Sequence, residues 1–237
     1  RDAISLGIDR IEHFVGGDAM PATKSAYRSL PNITREQAEY LKAVELFIET
    51  GTVFDATLTA YGYFGSRREE YEYWIDESKF FTPHMQQVAK ERGPTDAGEQ
   101  FERIYEAKLS TIGTFFKMGG KISLGTDHVS DGYHLPGFGA HRELDAFVRA
   151  GIPPADALVI GTLNGAQALG LENSRGSIEI GKNADLLIVA GNPIENIRNT
   201  RNVHTVIHSG ELHRTSELLQ SVRGKLGPAS KDEEGSW

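Results

Sequence analysis

Three short apolar segments, each separated from the next by residues with helical periodicity, constrain the fold of this chain most. They are residues 8–13, 52–59 and 121–127, and their β-branched and apolar residues predict strands. Strands that alternate with helices are typical of a parallel sheet, so the expected fold class is α/β. A closed barrel of eight such strands takes about 250 residues. Three strands in 237 residues therefore predict either an open domain or a part of a barrel.

The segments between these strands predict most of the helices. Thr34 and Gln37 fit a capping box, in which two side chains bind backbone N–H groups at a helix start. Residues 60–98 are rich in aromatic side chains and predict an insertion with short helices over the mouth of a pocket. Further helices are predicted at residues 99–118, 140–150 and 154–169.

The pattern changes near residue 176. Residues 176–212 consist of short β-branched runs and turns, which predict a small β-domain in which residues 177–180 form one strand. Ser209 and Gly210 predict a tight hairpin turn. Residues 214–237 are polar and predict a disordered tail.

Two of the predicted strands end in side chains that can bind a metal ion. Asp127 ends the strand at 121–127, and His13 ends the strand at 8–13. In enzymes built of alternating strands and helices, the chemistry lies at the carboxyl ends of the strands. We therefore expect His13 and Asp127 to share one metal site. A turn or helix-capping role for the aspartate and a buried structural role for the histidine are the alternatives.

Four further side chains are weaker candidates, and their expected role is substrate contact. His128 directly follows Asp127, although a solvated loop histidine fits the position equally well. His141 opens a predicted helix close to the strand end, where a structural hydrogen bond is the alternative. Tyr61 and Tyr63 are expected to line a hydrophobic pocket, and ordinary packing of the insertion is the competing interpretation.

The composition argues against several classes of protein. A net charge of −8 argues against a general nucleic-acid binder, and no apolar run approaches the roughly 18 residues of a membrane helix. The chain has no cysteine, so disulfides and thiolate metal sites are absent. The first residue is Arg1, which predicts a cut or partial N-terminus. A cytoplasmic location is favoured, while a periplasmic or secreted one stays open.

Several motifs together resemble the amidohydrolase superfamily, in particular its imidazolonepropionase-like and prolidase-like metal-dependent hydrolases. They are IEH, SLGTD, HREL, GIPPADAL, TLNGAQALGL, GSIEIGKNADLLIVAGNPIENI and VIHSGEL. The resemblance covers about residues 1–213, and residues 151–212 are its most specific part. It implies the C-terminal part of a TIM-like (β/α)8 barrel at 1–170 and strands of a small β-sandwich at 171–213, with the polar tail from 214.

The resemblance also implies a site with one or two divalent metal ions, zinc first among them. The ligands in the superfamily are a His-x-His pair on the first strand, Lys or Glu on the fourth, His on the fifth and sixth, and Asp on the eighth. His13 matches the sixth-strand histidine and Asp127 the eighth-strand aspartate, while the chain contains no His-x-His. The implied reaction is hydrolysis of an amide, cyclic amide or dipeptide C–N bond by a metal-activated water, with Asp127 as ligand and general base.

The expected partners follow from the same resemblance. They are a small amide or peptide-like substrate, a second copy in a homo-oligomer, and the missing N-terminal half, supplied in cis or in trans. Three alternatives stay open: a non-catalytic scaffold or oligomerisation homologue, one subunit of a split enzyme, and a stand-alone α/β binding module. Whether this chain alone is active is a separate question from its family.

Overall fold

The structure, a computed structural model, describes residues 2–16, 19–20, 24–64, 75–92, 98–127 and 137–236. The helices in these ranges are α1 (Asp2–Ser5), α2 (Ala26–Ser29), α3 (Ala38–Thr50), α4 (Leu58–Phe64), α5 (Pro83–Arg92), α6 (Gly98–Lys117), α7 (Phe138–Arg149), α8 (Pro154–Val159), α9 (Gly165–Ala168) and α10 (Thr215–Val222). Short 3-10 helices cover Leu30–Asn32, Ile75–Phe80, Ile197–Arg201 and Lys231–Ser236, and a π-helical turn, Ile160–Asn164, joins α8 to α9. None of the described helices has the length and apolarity needed to cross a bilayer.

The first three strands form a parallel sheet. They are β1 (Arg10–Glu12), β2 (Val53–Asp55) and β3 (Ile122–Ser123), and they pair in the order β1-β2-β3. This confirms the α/β fold class. Because all three strands run in the same direction, their carboxyl ends meet at one edge of the sheet.

Aromatic rings fill the space between this sheet and helices α3 and α6. The ring of Phe115 lies edge-on to those of Phe54 and Phe47, at centroid distances of 5.3 and 5.5 Å. Such pairs add to the stabilisation that burial of the rings provides. The helix predicted at residues 99–118 therefore faces the core with an apolar stripe.

The second sheet is antiparallel and lies later in the chain. It contains β4 (Leu186–Val189), β5 (Val203–His208) and β6 (Glu211–Arg214), in the order β4-β5-β6. Ser209 and Gly210 connect β5 and β6 with φ values of 52° and 85°, which fits a tight hairpin turn and confirms that prediction. The predicted strand at residues 177–180 is wrong, because this segment is irregular and its two isoleucines are exposed.

Two predicted boundaries are also wrong, one at the start of helix α3 and one at the end of β2. Helix α3 begins at Ala38, and Gln37 makes no side-chain cap bond. Instead, Arg35 reaches α6, where it donates hydrogen bonds to Ser110 Oγ (3.2 Å) and to the Ala107 carbonyl oxygen (3.0 Å). The strand predicted at 52–59 ends at residue 55, because the chain turns there and starts helix α4.

The C-terminal segment corrects the prediction of a disordered tail at 214–237. Helix α10 follows β6 directly, and Leu219, Val222 and Leu226 pack against a small cluster around Phe80 and Phe81. A backbone bridge between Phe81 and Leu226 ties the two segments together. Polar composition hid the apolar face that makes this contact.

Candidate active site at the strand ends

Each strand of the parallel sheet is followed by a residue with left-handed backbone geometry. The φ values are 70° at His13 after β1, 47° at Thr57 after β2 and 51° at Asp127 after β3. Such a conformation costs a non-glycine residue roughly 1–2 kcal/mol and persists only where surrounding contacts enforce it. Strained residues of this kind cluster at functional sites, and here they share the edge at which barrel enzymes keep their chemistry.

Hydrogen bonds define both the backbone and the ring of His13. Its N–H donates to the Asp55 carbonyl oxygen (2.8 Å), and its ring Nδ1 lies 2.8 Å from Thr57 Oγ1. The Thr57 hydroxyl donates its single proton to the Ala56 carbonyl oxygen (2.8 Å). It therefore accepts from His13, which places the imidazole proton on Nδ1 and leaves a lone pair on Nε2. In the neutral ring, this is the tautomer that binds a metal ion through Nε2.

A buried lysine lies directly beneath His13. Lys108, on helix α6, is 2% exposed, and its ammonium group donates a hydrogen bond to the His13 carbonyl oxygen. The Nζ atom also lies 4.1 and 4.5 Å from the ring centres of Tyr61 and Phe14. Burial lowers the pKa of Lys108 to about 7, and the carboxylates of Glu143, Asp55 and Asp127 act against that change.

Glu143 links helix α7 to the end of β2. It is fully buried, and its two carboxylate oxygens each accept a hydrogen bond at 2.8 Å, from the N–H groups of Leu58 and Thr59. These N–H groups open helix α4, so the carboxylate caps that helix. Burial raises the pKa of Glu143 to about 7, while the two N–H bonds oppose the shift.

Asp55 joins β2 to β3 at the same edge. Its Oδ2 accepts a hydrogen bond from Ser123 Oγ at 3.2 Å, and burial raises its pKa. A Cβ atom on Gly125 would lie 2.6 Å from Asp55 Oδ1, so this close approach requires glycine. The glycine of the SLGTD motif is thereby explained: it lets the chain pass Asp55 on its way to Asp127.

The structure brings three of the predicted site residues around Lys108. The carbonyl of His13 and the ring of Tyr61 contact its amine, and Asp127 is close enough to act on the pKa of both Lys108 and Tyr61. Asp127 itself is exposed at the strand end. Burial raises the pKa of Tyr61, and its neighbours Tyr27 and Asp127 act in the same direction.

The other candidates are not brought into this group. His141 Nδ1 lies 3.2 Å from Thr200 Oγ1, and burial lowers its pKa to about 4, with help from Arg201 and Arg142. His128 and the side chain of Tyr63 lie outside the residues that the structure describes. Their proposed substrate contacts stay predictions.

Sequence reasoning missed the buried charges at the site. Lys108 lies four residues from both Ile104 and Ile112, in the middle of the apolar stripe of α6, and all three are buried. Glu143 lies four residues before the buried Phe147 on α7. A charged residue inside an apolar stripe is the signal that could have found them, because burial of an ion is tolerated only with partners.

The donor atoms fit a divalent metal ion in part. His13 offers a free Nε2, and Asp127 offers an exposed carboxylate at the same edge. Among the described residues, however, no three His, Cys, Asp or Glu side chains are grouped closely enough to hold a metal ion. The described residues alone therefore supply two candidate ligands and not a complete site.

Comparison with known proteins finds one family model that matches part of the chain. The model of the amidohydrolase family matches residues 102–213, which include most of helix α6, strand β3 and all of the antiparallel sheet except its last residue. These residues make up just under half of the chain, and through them the chain is similar to the amidohydrolase family. The match confirms the resemblance that the motifs indicated.

Two curated relatives of the chain carry the same name. A 5-methylthioadenosine/S-adenosylhomocysteine deaminase of Moorella thermoacetica is 41% identical over 78 residues, which cover 30% of this chain and 18% of that protein. A deaminase of the same name from Teredinibacter turnerae is 29% identical over 122 residues, 49% of this chain and 27% of that protein. The chain thus matches well under a third of the length of these relatives.

A solved Xaa-Pro dipeptidase with bound methionine in the active site is the structural counterpart. It superposes with a TM-score of 0.58 at 28% identity, over 90% of this chain and 41% of that protein. Almost the whole chain therefore has a counterpart in a dipeptidase more than twice the size of the matched region.

Proposed function

We propose that this chain is the C-terminal part of a metal-dependent hydrolase that cleaves a C–N bond, with His13 and Asp127 as two of its metal ligands. One observation carries the proposal: His13, Thr57 and Asp127 all adopt left-handed backbone geometry at the shared carboxyl edge of a parallel sheet. The family match makes that edge the expected place for the chemistry.

The finer fold assignment belongs to the same proposal. Residues 1–170 would form part of a TIM-like barrel, and residues 171–213 would contribute strands of a small β-sandwich. The similarity to 41% of a dipeptidase supports the idea of a partial barrel. Exposed apolar side chains on the antiparallel sheet, such as Leu187 and Leu212, support the sandwich, because sheets of a sandwich pack face to face.

The chain's own residues would divide the chemistry among them. A bound divalent ion, zinc being compatible with nitrogen and oxygen ligands, lowers the pKa of water and polarises the substrate. His13 presents Nε2 because Thr57 holds its Nδ1 proton. Asp127 accepts the proton from the attacking water and returns it to the leaving nitrogen. Tyr61, whose pKa is raised, stays protonated beside them.

Two substrate classes compete within this proposal. The named deaminases favour hydrolytic removal of an amino group from a purine nucleoside, whereas the dipeptidase favours an amide or dipeptide bond. Both reactions cleave a C–N bond with an activated water. The remaining metal donors would come from an N-terminal half in cis or from a second chain, as in a split enzyme. A homo-oligomer and a non-catalytic homologue are further alternatives.

Metal binding by matched variants tests the proposal. Zinc content and zinc affinity are measured for the purified chain, with any co-purifying partner retained, and for Asp127→Asn and Asp9→Asn. Asp9 is exposed at the opposite end of β1, so its variant controls for loss of surface charge. We expect Asp127→Asn alone to lose zinc. Equal zinc binding by all three proteins would show that Asp127 is not a metal ligand.

Activity assays then separate the substrate classes. Zinc-loaded protein is incubated with 5-methylthioadenosine and with a set of Xaa-Pro dipeptides, and release of ammonia or of free amino acid is followed. Turnover of one class, abolished by Asp127→Asn, would assign the bond. Zinc binding without turnover of either class would favour the non-catalytic or split-enzyme alternative.

A further inference from the structure

Lys108 is a buried cation that the proposed chemistry does not use. It projects from the apolar stripe of α6 and is 2% exposed, so its amine is shielded from solvent. Burial of an ammonium group is unfavourable unless its donors are satisfied. The contacts of this amine therefore indicate what it does.

Those contacts converge on the strand end that carries His13. The amine donates to the His13 carbonyl oxygen and lies over the rings of Phe14, the next residue, and of Tyr61. Cation–π attraction to two rings keeps the amine in this position without requiring a direct ion pair. One lysine thus contacts both the strained residue and the residue that follows it.

The geometry of His13 depends on contacts at three points. Its N–H is bound by the Asp55 carbonyl, its ring by Thr57 Oγ1, and its carbonyl oxygen by Lys108. The left-handed φ of 70° is unfavourable by itself, so the peptide would relax if one of these points were lost. Relaxation would rotate the ring away from Thr57 and release the preference for a proton on Nδ1.

We propose that Lys108 is a positioning residue that holds the His13 carbonyl and thereby fixes the ring tautomer with a free Nε2. One consequence of this positioning, tighter metal binding, rests on the proposed function of His13 as a metal ligand. The positioning itself is a property of the metal-free chain and is tested there. A purely structural lysine, serving only as counter-ion to Glu143 and Asp55, predicts lost stability with an unchanged histidine ring.

The test compares Lys108→Met with Lys117→Met. Lys117 lies on the same helix and is exposed, so its variant controls for loss of a lysine charge. NMR of ¹⁵N-histidine in the metal-free proteins reports the tautomer, and His13→Gln assigns the ring signals. We expect the Nδ1–H form in wild type and in Lys117→Met, and a mixture of both tautomers in Lys108→Met. Thr57→Val should give the same mixture.

Zinc titration provides the second measurement. Loss of a residue that orients a ligand typically weakens metal affinity by about 10- to 100-fold, and we expect that loss in Lys108→Met and not in Lys117→Met. An unchanged tautomer in Lys108→Met, with a changed one in Thr57→Val, would overturn the proposal. A changed tautomer in Lys108→Met, together with zinc binding that neither His13→Gln nor Asp127→Asn weakens, would refute the proposed metal ligands and leave the positioning role intact.

A folding failure of Lys108→Met would not end the test. Lys108→Arg retains a cationic donor, and we expect it to restore the Nδ1–H form. In the wild-type chain, the Nζ protons of Lys108 should exchange slowly with water and show proximity to the Tyr61 ring. Fast exchange without that proximity would contradict the contact on which the inference depends.

Discussion

The two sheets of this chain differ in how far their apolar residues are buried. In the parallel sheet, Phe54 and Ile122 are 2% and 1% exposed, because helices cover them. In the antiparallel sheet, Leu187 and Leu212 are 58% and 64% exposed. Apolar surface that stays open on a sheet is typical of an interaction surface. The parallel sheet therefore stabilises the described fold, whereas the antiparallel sheet is suited to packing against a further layer.

Their charged residues differ in the same sense. At the parallel sheet, Asp55, Lys108 and Glu143 are almost completely buried. At the antiparallel sheet, Asp185 lies 3.2 Å from His208, whose side chain is 72% exposed. Exposed ion pairs contribute little to stability. Burial of an ion is unfavourable unless partners satisfy it, so the buried groups at the parallel sheet are candidates for a functional role.

The strongest test of this contrast removes one large side chain from each sheet. Phe54→Ala should lower the free energy of unfolding by about 3–5 kcal/mol, because it empties the centre of the aromatic core. Leu187→Ala should change it by less than about 0.5 kcal/mol. Urea unfolding of both variants measures the difference. Equal losses would show that the second sheet is as well covered as the first.

The pH dependence of stability tests the buried charges. Burial raises the pKa of Glu143 from 4.5 to about 7, so the folded chain holds a proton that the unfolded chain has released between these values. The stabilisation from this group is present below pH 4.5 and is lost as the pH rises through 7. Relative to Glu143→Gln, wild type should lose on the order of 3 kcal/mol over this range.

Urea unfolding at several pH values between the two limits measures that loss. Lys108 titrates differently, since its lowered pKa makes its contribution fall as the pH drops from 10.5 through about 7. Below pH 7, the difference between wild type and Glu143→Gln therefore reports mainly on Glu143, because the shifted pKa values of His141 and Asp55 are common to both proteins. A constant difference between wild type and Glu143→Gln across it would mean that the carboxyl group titrates normally.

A smaller effect is expected at the strand-end hydrogen bond. Thr57→Val removes the hydroxyl that bonds His13 Nδ1 and the Ala56 carbonyl, and it should destabilise the chain by about 1 kcal/mol. Thr57→Ser keeps the hydroxyl and serves as the control. Thermal unfolding of both variants measures the effect, and a serine variant less stable than the valine variant would contradict the assigned bond.

The smallest effect on stability is expected on the open sheet. Leu212→Ser should leave the free energy of unfolding within about 0.5 kcal/mol of wild type but reduce self-association or partner binding, as sedimentation velocity measures. Leu6, which is 88% exposed near the N-terminus, provides the matched control in Leu6→Ser. Equal changes in association of both variants would show that the antiparallel sheet is not a specific interaction surface.

The sequence predicted the parts of this molecule that depend on local pattern. The apolar runs before His13 and Asp127, and the stripe of α6, gave the right element types because periodicity reports burial directly. It also placed both residues at strand ends, and the parallel pairing then brings those ends to one edge. The pattern suggested that they bind a metal ion but did not test it.

The misses share a physical cause, which is dependence on contacts far apart in the chain. Glu143 caps α4 from 85 and 84 residues away, and no local pattern encodes that pairing. Arg35, which lies within the predicted capping box, binds α6 instead, 75 and 72 residues away. Leu219 and Val222 gave the C-terminal helix an apolar face that average polarity concealed.

The left-handed residues at the strand ends also affect how this chain would respond to selection in the laboratory. Glycine adopts a positive φ without the strain that His13, Thr57 and Asp127 carry. A library screened for heat resistance alone would therefore tend to accumulate glycine where relief of this strain exceeds the loss of side-chain contacts, first of all at the exposed Asp127. Each gain would remove a side chain from the proposed site, so a thermostable descendant would drift toward an inert scaffold unless catalysis or metal uptake were screened in parallel.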